Sequence, residues 1–243
     1  PVYSSALGAT GATFSGDTFT ITATFDGAVS GVTAAHFGVS ATGGLAFDTA
    51  VSPTSGAAQV WVHAGTITSG RVASTITATA FAGGVATGLS PATEAGDGDF
   101  TLVYQPPVPT YTSSVGVSGS TTQASSFDIT ATFSSAVRGV TNATFGLSFT
   151  GATAYTATAT SGNGMPNSDV WVLTVTMVSA REAGTFTAAA MAEASTGVAP
   201  ANAAGATAFT IVYDPPLFTG FSSSTAATGT TVTAGPLLFT ATF

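Results

Sequence analysis

The sequence predicts an all-β protein made of tandem sandwich domains. Three observations predict it: a long internal repeat, a two-residue alternation of apolar and polar side chains, and clusters of Gly, Ser, Asn and Pro between the alternating runs.

The repeat comes first because a missed repeat misassigns the whole fold. Phe19-Thr-Ile-Thr-Ala-Thr-Phe25 returns as Phe127-Asp-Ile-Thr-Ala-Thr-Phe133, and again in degraded form as Leu237-Leu-Phe-Thr-Ala-Thr-Phe243. Ala28-Val-Ser-Gly-Val-Thr33 matches Ala136-Val-Arg-Gly-Val-Thr141, and Val60-Trp-Val62 matches Val170-Trp-Val172. Val103-Tyr-Gln-Pro-Pro107 matches Val212-Tyr-Asp-Pro-Pro216. The order is conserved within the chain at an offset of about 108–110 residues. That is the size of one immunoglobulin-like sandwich, roughly 100 residues. The expected units are residues 1–106 and 107–215, followed at 216–243 by the first strands of a third, truncated repeat. The chain is therefore expected to be a piece of a longer protein, with donation of the tail strand to a sheet of another chain as the alternative.

Each unit reads as about seven strands. In Phe127–Phe133, the side chains of Phe127, Ile129, Ala131 and Phe133 fall on one face and those of Asp128, Thr130 and Thr132 on the other, the pattern of a half-buried strand. Thr and Val are frequent because branched side chains are stiff at χ1 and pack well on a pleated surface. The stretch Ala188–Ala194 has weak helix propensity that a sheet must override. The Pro-Pro steps end the ladders, since proline has no N–H, and Gln105–Thr110 reads as a short semi-rigid spacer.

Composition excludes several functions. Charged residues make up 6% of the chain, against roughly 25% in an ordinary soluble domain. Arg71, Arg138 and Arg181 are the only basic residues apart from two histidines, and the net charge is −8. Nothing here neutralises a phosphate backbone, so nucleic acid is excluded as a partner, and an anionic membrane surface repels the chain. No apolar run reaches the ~18 residues of a membrane span. The absence of cysteine rules out disulfides and thiolate metal sites. Ala, Thr, Ser and Gly stand where Lys and Glu normally keep a surface soluble, so the sandwich faces are expected to be covered by copies of the same chain, by other surface proteins or by glycans.

Phe-x-Ile-Thr-Ala-Thr-Phe, then Ala-Val-x-Gly-Val-Thr, then Phe-Gly-(Val/Leu)-Ser, with a late Phe-Thr-(Leu/Ile)-Val-Tyr before prolines, resembles the bacterial-type Ig-like repeats of very long extracellular surface proteins in bacteria and algae. These include mastigoneme-like proteins, whose relatives form filaments on algal flagella. Asp26-Gly-Ala-Val29 and Ser134-Ser-Ala-Val137 replace the Glu-Pro-Val usual in that family, and the acidic loops of calcium-rigidified relatives are mostly missing. The resemblance implies a spacer, scaffold or adhesive role and carries over no catalytic residue.

Candidate residues follow from comparing the repeats. Trp61 and Trp171 occur in both and lie on alternating strands, so they are expected between the sheets, with sugar stacking as the alternative. Tyr104 and Tyr213 are expected to pack strand ends. Arg71 and Arg181 each follow the Trp by ten residues. With no acid shared between repeats, each guanidinium is expected to bond backbone carbonyls at a turn, to stack on an aromatic ring or to contact a neighbouring chain. His36 and His63 belong to the first repeat alone, their counterparts being Thr144 and Leu173, and without a carboxylate to orient them they make neither a metal site nor a catalytic dyad. Glu94, Asp97 and Asp99, spaced by glycines, are the weak calcium candidate, with a solvated loop as the alternative reading. Asn142-Ala-Thr144 is an N-glycosylation sequon.

There is no nucleophile elbow, phosphate loop or His–carboxylate pair, so no enzyme is expected. The expected function is a structural subunit of an extracellular filament or surface assembly. The alternatives are the stalk of a cell-surface adhesin and, further off, a carbohydrate-binding accessory module. The expected location is extracellular or at the cell surface.

Overall fold

The computed structural model describes residues 1–242 except 54, 80, 82–87, 94, 97, 180, 206 and 224–237. Among the described residues the first repeat contains β1 (Val2–Ser4), β2 (Ala12–Phe14), β3 (Thr18–Ser30), α1 (Ala34–Phe37), β4 (Val39–Ala41), β5 (Ala46–Ser52), β6 (Ala57–Ser69), β7 (Ser74–Ala78) and β8 (Phe100–Tyr104). The second contains β9 (Pro109–Ser113), β10 (Ser120–Thr122), β11 (Ser126–Arg138), α2 (Asn142–Phe145), β12 (Ser148–Phe149), β13 (Ala154–Ser161), β14 (Asn167–Ser179), β15 (Gly184–Ala188) and β16 (Phe209–Tyr213). The sheets run β1-β3-β6-β5 and β2-β8-β7-β4 in the first repeat, then β9-β11-β14-β13 and β10-β16-β15-β12 in the second. The chain is thus a tandem of immunoglobulin-like β-sandwiches.

Each repeat shows eight described strands rather than about seven because its first strand changes sheet. β1 pairs antiparallel with β3, and after a turn β2 pairs parallel with β8; β9 and β10 do the same with β11 and β16.

The registers repeat as well. Ala23 faces Trp61 and Ala131 faces Trp171, each ladder interrupted by a bulge just beyond Thr24 or Thr132. Past the second Pro-Pro step, β17 (Gly220–Ser223) pairs antiparallel with β18 (Phe239–Thr242), placing Phe221 opposite Ala241. That pair corresponds to Tyr3 opposite Ala23 and Tyr111 opposite Ala131. Leu238 and Phe239 are exposed, and Phe243 lies outside the described residues.

Two separate cores fill the sandwiches. Phe19, Ile21, Ala23 and Phe25 of β3 point into the first, together with Phe37, Trp61 and Tyr104. Phe127, Ile129, Ala131 and Phe133 of β11 point into the second, together with Phe145, Trp171 and Tyr213. Burying one such side chain is worth about 1.5–3 kcal/mol, whereas an exposed ion pair is worth about 0–1 kcal/mol, so packing and not charge holds each repeat.

The sequence motifs have local causes. α1 and α2 are single turns that the strand-only expectation did not include. Each ends on a left-handed glycine, Gly38 or Gly146, and the Thr before each turn donates its N–H to the residue three further on: Thr33 N–H to His36 Nδ1 at 3.0 Å, Thr141 N–H to Thr144 Oγ1 at 3.1 Å. The Gly of Ala-Val-x-Gly-Val-Thr is required twice over. Gly31 and Gly139 sit at φ +83° and +79°, and a Cβ there would lie 1.9 and 2.0 Å from the carbonyl oxygens of Gly88 and Gly197. The Ala-rich segment after β15 forms loop and not helix.

Candidate functional site: the junction between the repeats

The segment joining the sandwiches is pinned on both sides. Gln105 donates its N–H to Phe14 O of the first repeat at 2.8 Å. Val108 N–H bonds Ser134 Oγ at 2.9 Å, Ser134 Oγ bonds Pro106 O at 3.2 Å, and Ala203 N–H bonds Pro107 O at 2.9 Å. Pro106, Pro107 and Pro109 are buried, as is Ala203. Prolines bring no N–H that burial would leave unpaired, so this segment is suited to a dry contact.

Across it runs a charged clamp centred on Arg71. Arg71 is 7% exposed. Nη2 donates to Ile67 O at 2.9 Å and Nη1 to Thr68 O at 3.2 Å, which are the backbone carbonyls of its own turn. Nε reaches Asp17 Oδ1 at 3.4 Å, and Nη1 reaches Glu193 Oε1 of the second repeat at 3.3 Å. The Arg71 N–H also donates to Glu193 Oε1, at 3.2 Å. The contact is reciprocal: Ala201 N–H of the second repeat donates to Asp17 Oδ2 at 3.1 Å. Tyr104 lies buried beside this cluster, and its phenol is pushed up to about 12, chiefly by burial; Arg71 opposes the shift, while Asp17 and Glu193 add to it.

Glu193 and Ala201 both stand on the loop between β15 and β16, and Asn202 holds that loop in shape. Asn202 is fully buried. Its Nδ2 donates to Ala192 O at 2.9 Å and Ala203 O at 2.7 Å, and its Oδ1 accepts from Ser195 N–H at 3.0 Å. One member of the loop, Ala194, adopts φ +52°, a conformation that L-residues other than Gly, Asn and Asp rarely take. The junction thus combines a buried amide and a left-handed alanine on one loop of the second repeat with a shielded cation from the first.

The other sequence candidates are placed as follows. Trp61 and Trp171 are buried in the cores, their Nε1 atoms bonding Ala58 O at 3.0 Å and Ser168 O at 3.0 Å. Arg181, the counterpart of Arg71, is exposed and makes no hydrogen bond or ion pair among the described residues. His36 caps α1 and stacks on Phe81 with centroids 5.8 Å apart, while His63 is buried against Phe37. Of the calcium candidates, Glu94 and Asp97 lie outside the described residues. Asp99 is near enough to Tyr3 to help raise that phenol, after burial. Among the described residues no group of three His, Cys, Asp or Glu could hold a metal ion. Asn142 is exposed, but both atoms of its amide are engaged: Nδ2 donates to Ala157 O, and Oδ1 accepts from Ala159 N–H at 2.6 Å, so it serves as a substitute neighbour for the edge strand β13. No helix among the described residues is long and apolar enough to cross a membrane.

Sequence reasoning did not find Asp17, Glu193, Ala201 or Asn202. Their aligned positions in the other repeat are Ser125, Gly83, Ala92 and Thr93, so a search for shared chemistry passes over three of the four. The available signal was scarcity: eleven acids and three arginines leave few ways to neutralise a conserved-position Arg.

A comparison with protein-family models finds no match, and one with curated proteins finds none either. Among solved structures the chain is similar to domains 4–9 of the surface layer protein SbsC, at 13% identity over 91% of this chain and 32% of that one, with a TM-score of 0.23. It is also similar to a marsupial T cell receptor, at 12% identity over 91% of this chain and 76% of that one, with a TM-score of 0.32. The chain spans about a third of the first of these. Both superpositions are too loose to carry an argument, and the sandwich architecture rests on strand order and register.

Proposed function

We propose that this chain is a structural subunit of an extracellular filament or surface assembly, its Ig-like repeats acting as rigid building blocks bounded near Pro106 and Pro215. The observation that carries this reading is the pinned junction. Buried prolines, bonds from residues 105–108 to both sandwiches and the Asp17–Arg71–Glu193 clamp leave no slack between the repeats. A chain whose domains served only as independent binding modules has no need of such a joint. Sparse charge supports the assembly half of the reading, as do exposed Val60, Val117 and Val178 on strands and turns where soluble domains carry Lys or Glu.

The same joint would serve an adhesin stalk, and assembly distinguishes the two. Electron microscopy of the purified native material, with small-angle scattering of the dispersed chain, tests both parts. Fibres or sheets built from stiff units support the subunit reading. Stiff monomers that stay dispersed at high concentration favour the stalk, and a broad distribution of inter-repeat angles rejects the rigid block itself.

A further inference from the structure

His63 lies in the middle of β6, between Ile21 of β3 and Val51 of β5, and is 1% exposed. Neither ring nitrogen has a hydrogen-bond partner among the described residues. The imidazole packs on Phe37, with ring centroids 5.1 Å apart. The corresponding residue in the second repeat is Leu173, fully buried between Ile129 and Ala159. The chain therefore contains the same core site twice, once with a group that can take up a proton and once with a group that cannot.

We propose that His63 makes the first repeat an acid-labile unit beside an acid-indifferent second one. A neutral imidazole already forgoes its hydrogen bonds in this pocket. Protonation adds a charge and a second N–H with no acceptor, which burial penalises heavily. Among the described residues no surrounding element offers a compensating carboxylate. On α1, His36 is engaged with Thr33 and stacked on Phe81. On β1, Tyr3 stacks on Phe37 and its phenol is held neutral, raised first by burial and then by Asp99. Asp48 of β5 and Asp26 of β3 are exposed, and Asp17, just before β3, is taken by Arg71. Burial is accordingly the one cause acting on His63, and it lowers the pKa. The folded repeat then binds the proton less readily than the unfolded chain, whose His titrates near about 6.5. Stability is intact above that pH and declines as the pH falls below it, by up to about tenfold in the folded-to-unfolded ratio per pH unit.

One Trp per repeat allows the intact chain to report on itself. Urea unfolding of the first repeat is followed in Trp171→Phe and of the second in Trp61→Phe, at pH 7.5 and pH 5.2, above the range where most carboxylates titrate. The first-repeat midpoint should drop on acidification while the second holds. His63→Leu, which installs the second repeat's own residue, should remove the drop, and Leu173→His should transfer it to the second repeat. His36→Thr, copying Thr144, should leave the drop in place. An acid response that survives His63→Leu, or that vanishes in His36→Thr, overturns the proposal. Should Leu173→His fail to fold at pH 7.5, the His63→Leu comparison decides alone.

Discussion

Arg71 and Glu193 belong to different repeats, yet the guanidinium of one and the carboxylate of the other meet at 3.3 Å, and the same carboxylate oxygen accepts the backbone N–H of Arg71. One acid thereby grips both the side chain and the main chain of its partner, which fixes direction as well as distance.

Removing the two members should have unequal effects. Arg71→Ala strips Ile67 O and Thr68 O of their donors and leaves Asp17 and Glu193 without their cation, so it should destabilise the first repeat by about 1–2 kcal/mol, the acids being partly solvated. Glu193→Gln keeps the shape and loses the charge. It should leave the melting of both repeats within about 0.5 kcal/mol and broaden the inter-repeat distance distribution measured between spin labels on the two sandwiches. Unchanged distances in Glu193→Gln would remove the ion pair from the account of rigidity.

Asn202→Ala should be costlier than its small volume change suggests. It leaves Ala203 O and Ser195 N–H without that partner and takes one of two donors from Ala192 O, which keeps Ser195 Oγ, at about 1–3 kcal/mol for each group that water cannot reach. Hydrogen exchange across residues 192–203 should accelerate before the strands of the second repeat do.

Gly139→Ala and Gly31→Ala should each be destabilising, because the added methyl meets a carbonyl oxygen and the backbone is left-handed. The expected loss is about 2 kcal/mol or more, read from urea midpoints. The nearby Gly164→Ala, at φ +71° but with open space around it, should cost only the conformational part, about 1 kcal/mol.

Asn142→Ala should uncover β13, an eight-residue edge strand of Ala, Tyr, Thr and Ser without charge or proline. Its counterpart β5 carries Asp48 and runs into Pro53. Light scattering at rising concentration should show faster aggregation of the variant than of an Asp48→Asn control. An N-glycan at Asn142 would replace one amide hydrogen and leave the other for Ala157 O, so occupancy can be checked by mass without presuming loss of this bond.

Much of the fold was legible because its causes are local. Phe127–Phe133 alternates on a period of two, and Gly and Pro punctuate the strands, so sheet content and repeat length follow from nearest neighbours in sequence. The single turns α1 and α2 were not legible, since four residues cannot show a 3.6-residue period. The splitting of the first strand into β1 and β2 was hidden because short segments such as Val2–Ser4 alternate too briefly to reveal which sheet they join. Backbone carbonyls at a turn, an aromatic ring and a neighbouring chain were all open to Arg71 in the sequence; Ile67 O and Thr68 O accept from it. Its two acids were out of reach of the reading. Asp17 and Glu193 come together only when two sandwiches are set end to end, a relationship with no sequence period.

The strand that changes sheet has a mechanical consequence. In each repeat the second strand, β2 or β10, lies parallel to the last strand, β8 or β16, through three register pairs: Ala12 with Leu102, Thr13 with Val103 and Phe14 with Tyr104, and likewise Ser120 with Ile211, Thr121 with Val212 and Thr122 with Tyr213. Tension applied along the array pulls the two members of such a pair past one another lengthwise, so their evenly spaced hydrogen bonds are loaded together and not peeled one by one. Stretching single molecules from their ends should therefore show each sandwich giving way in one abrupt, high-force event, with the short antiparallel strand β1 or β9 detaching earlier at low force. In such an array the load limit of a repeat is set by a patch three residues long, and the rest of the sandwich follows once that patch has slid.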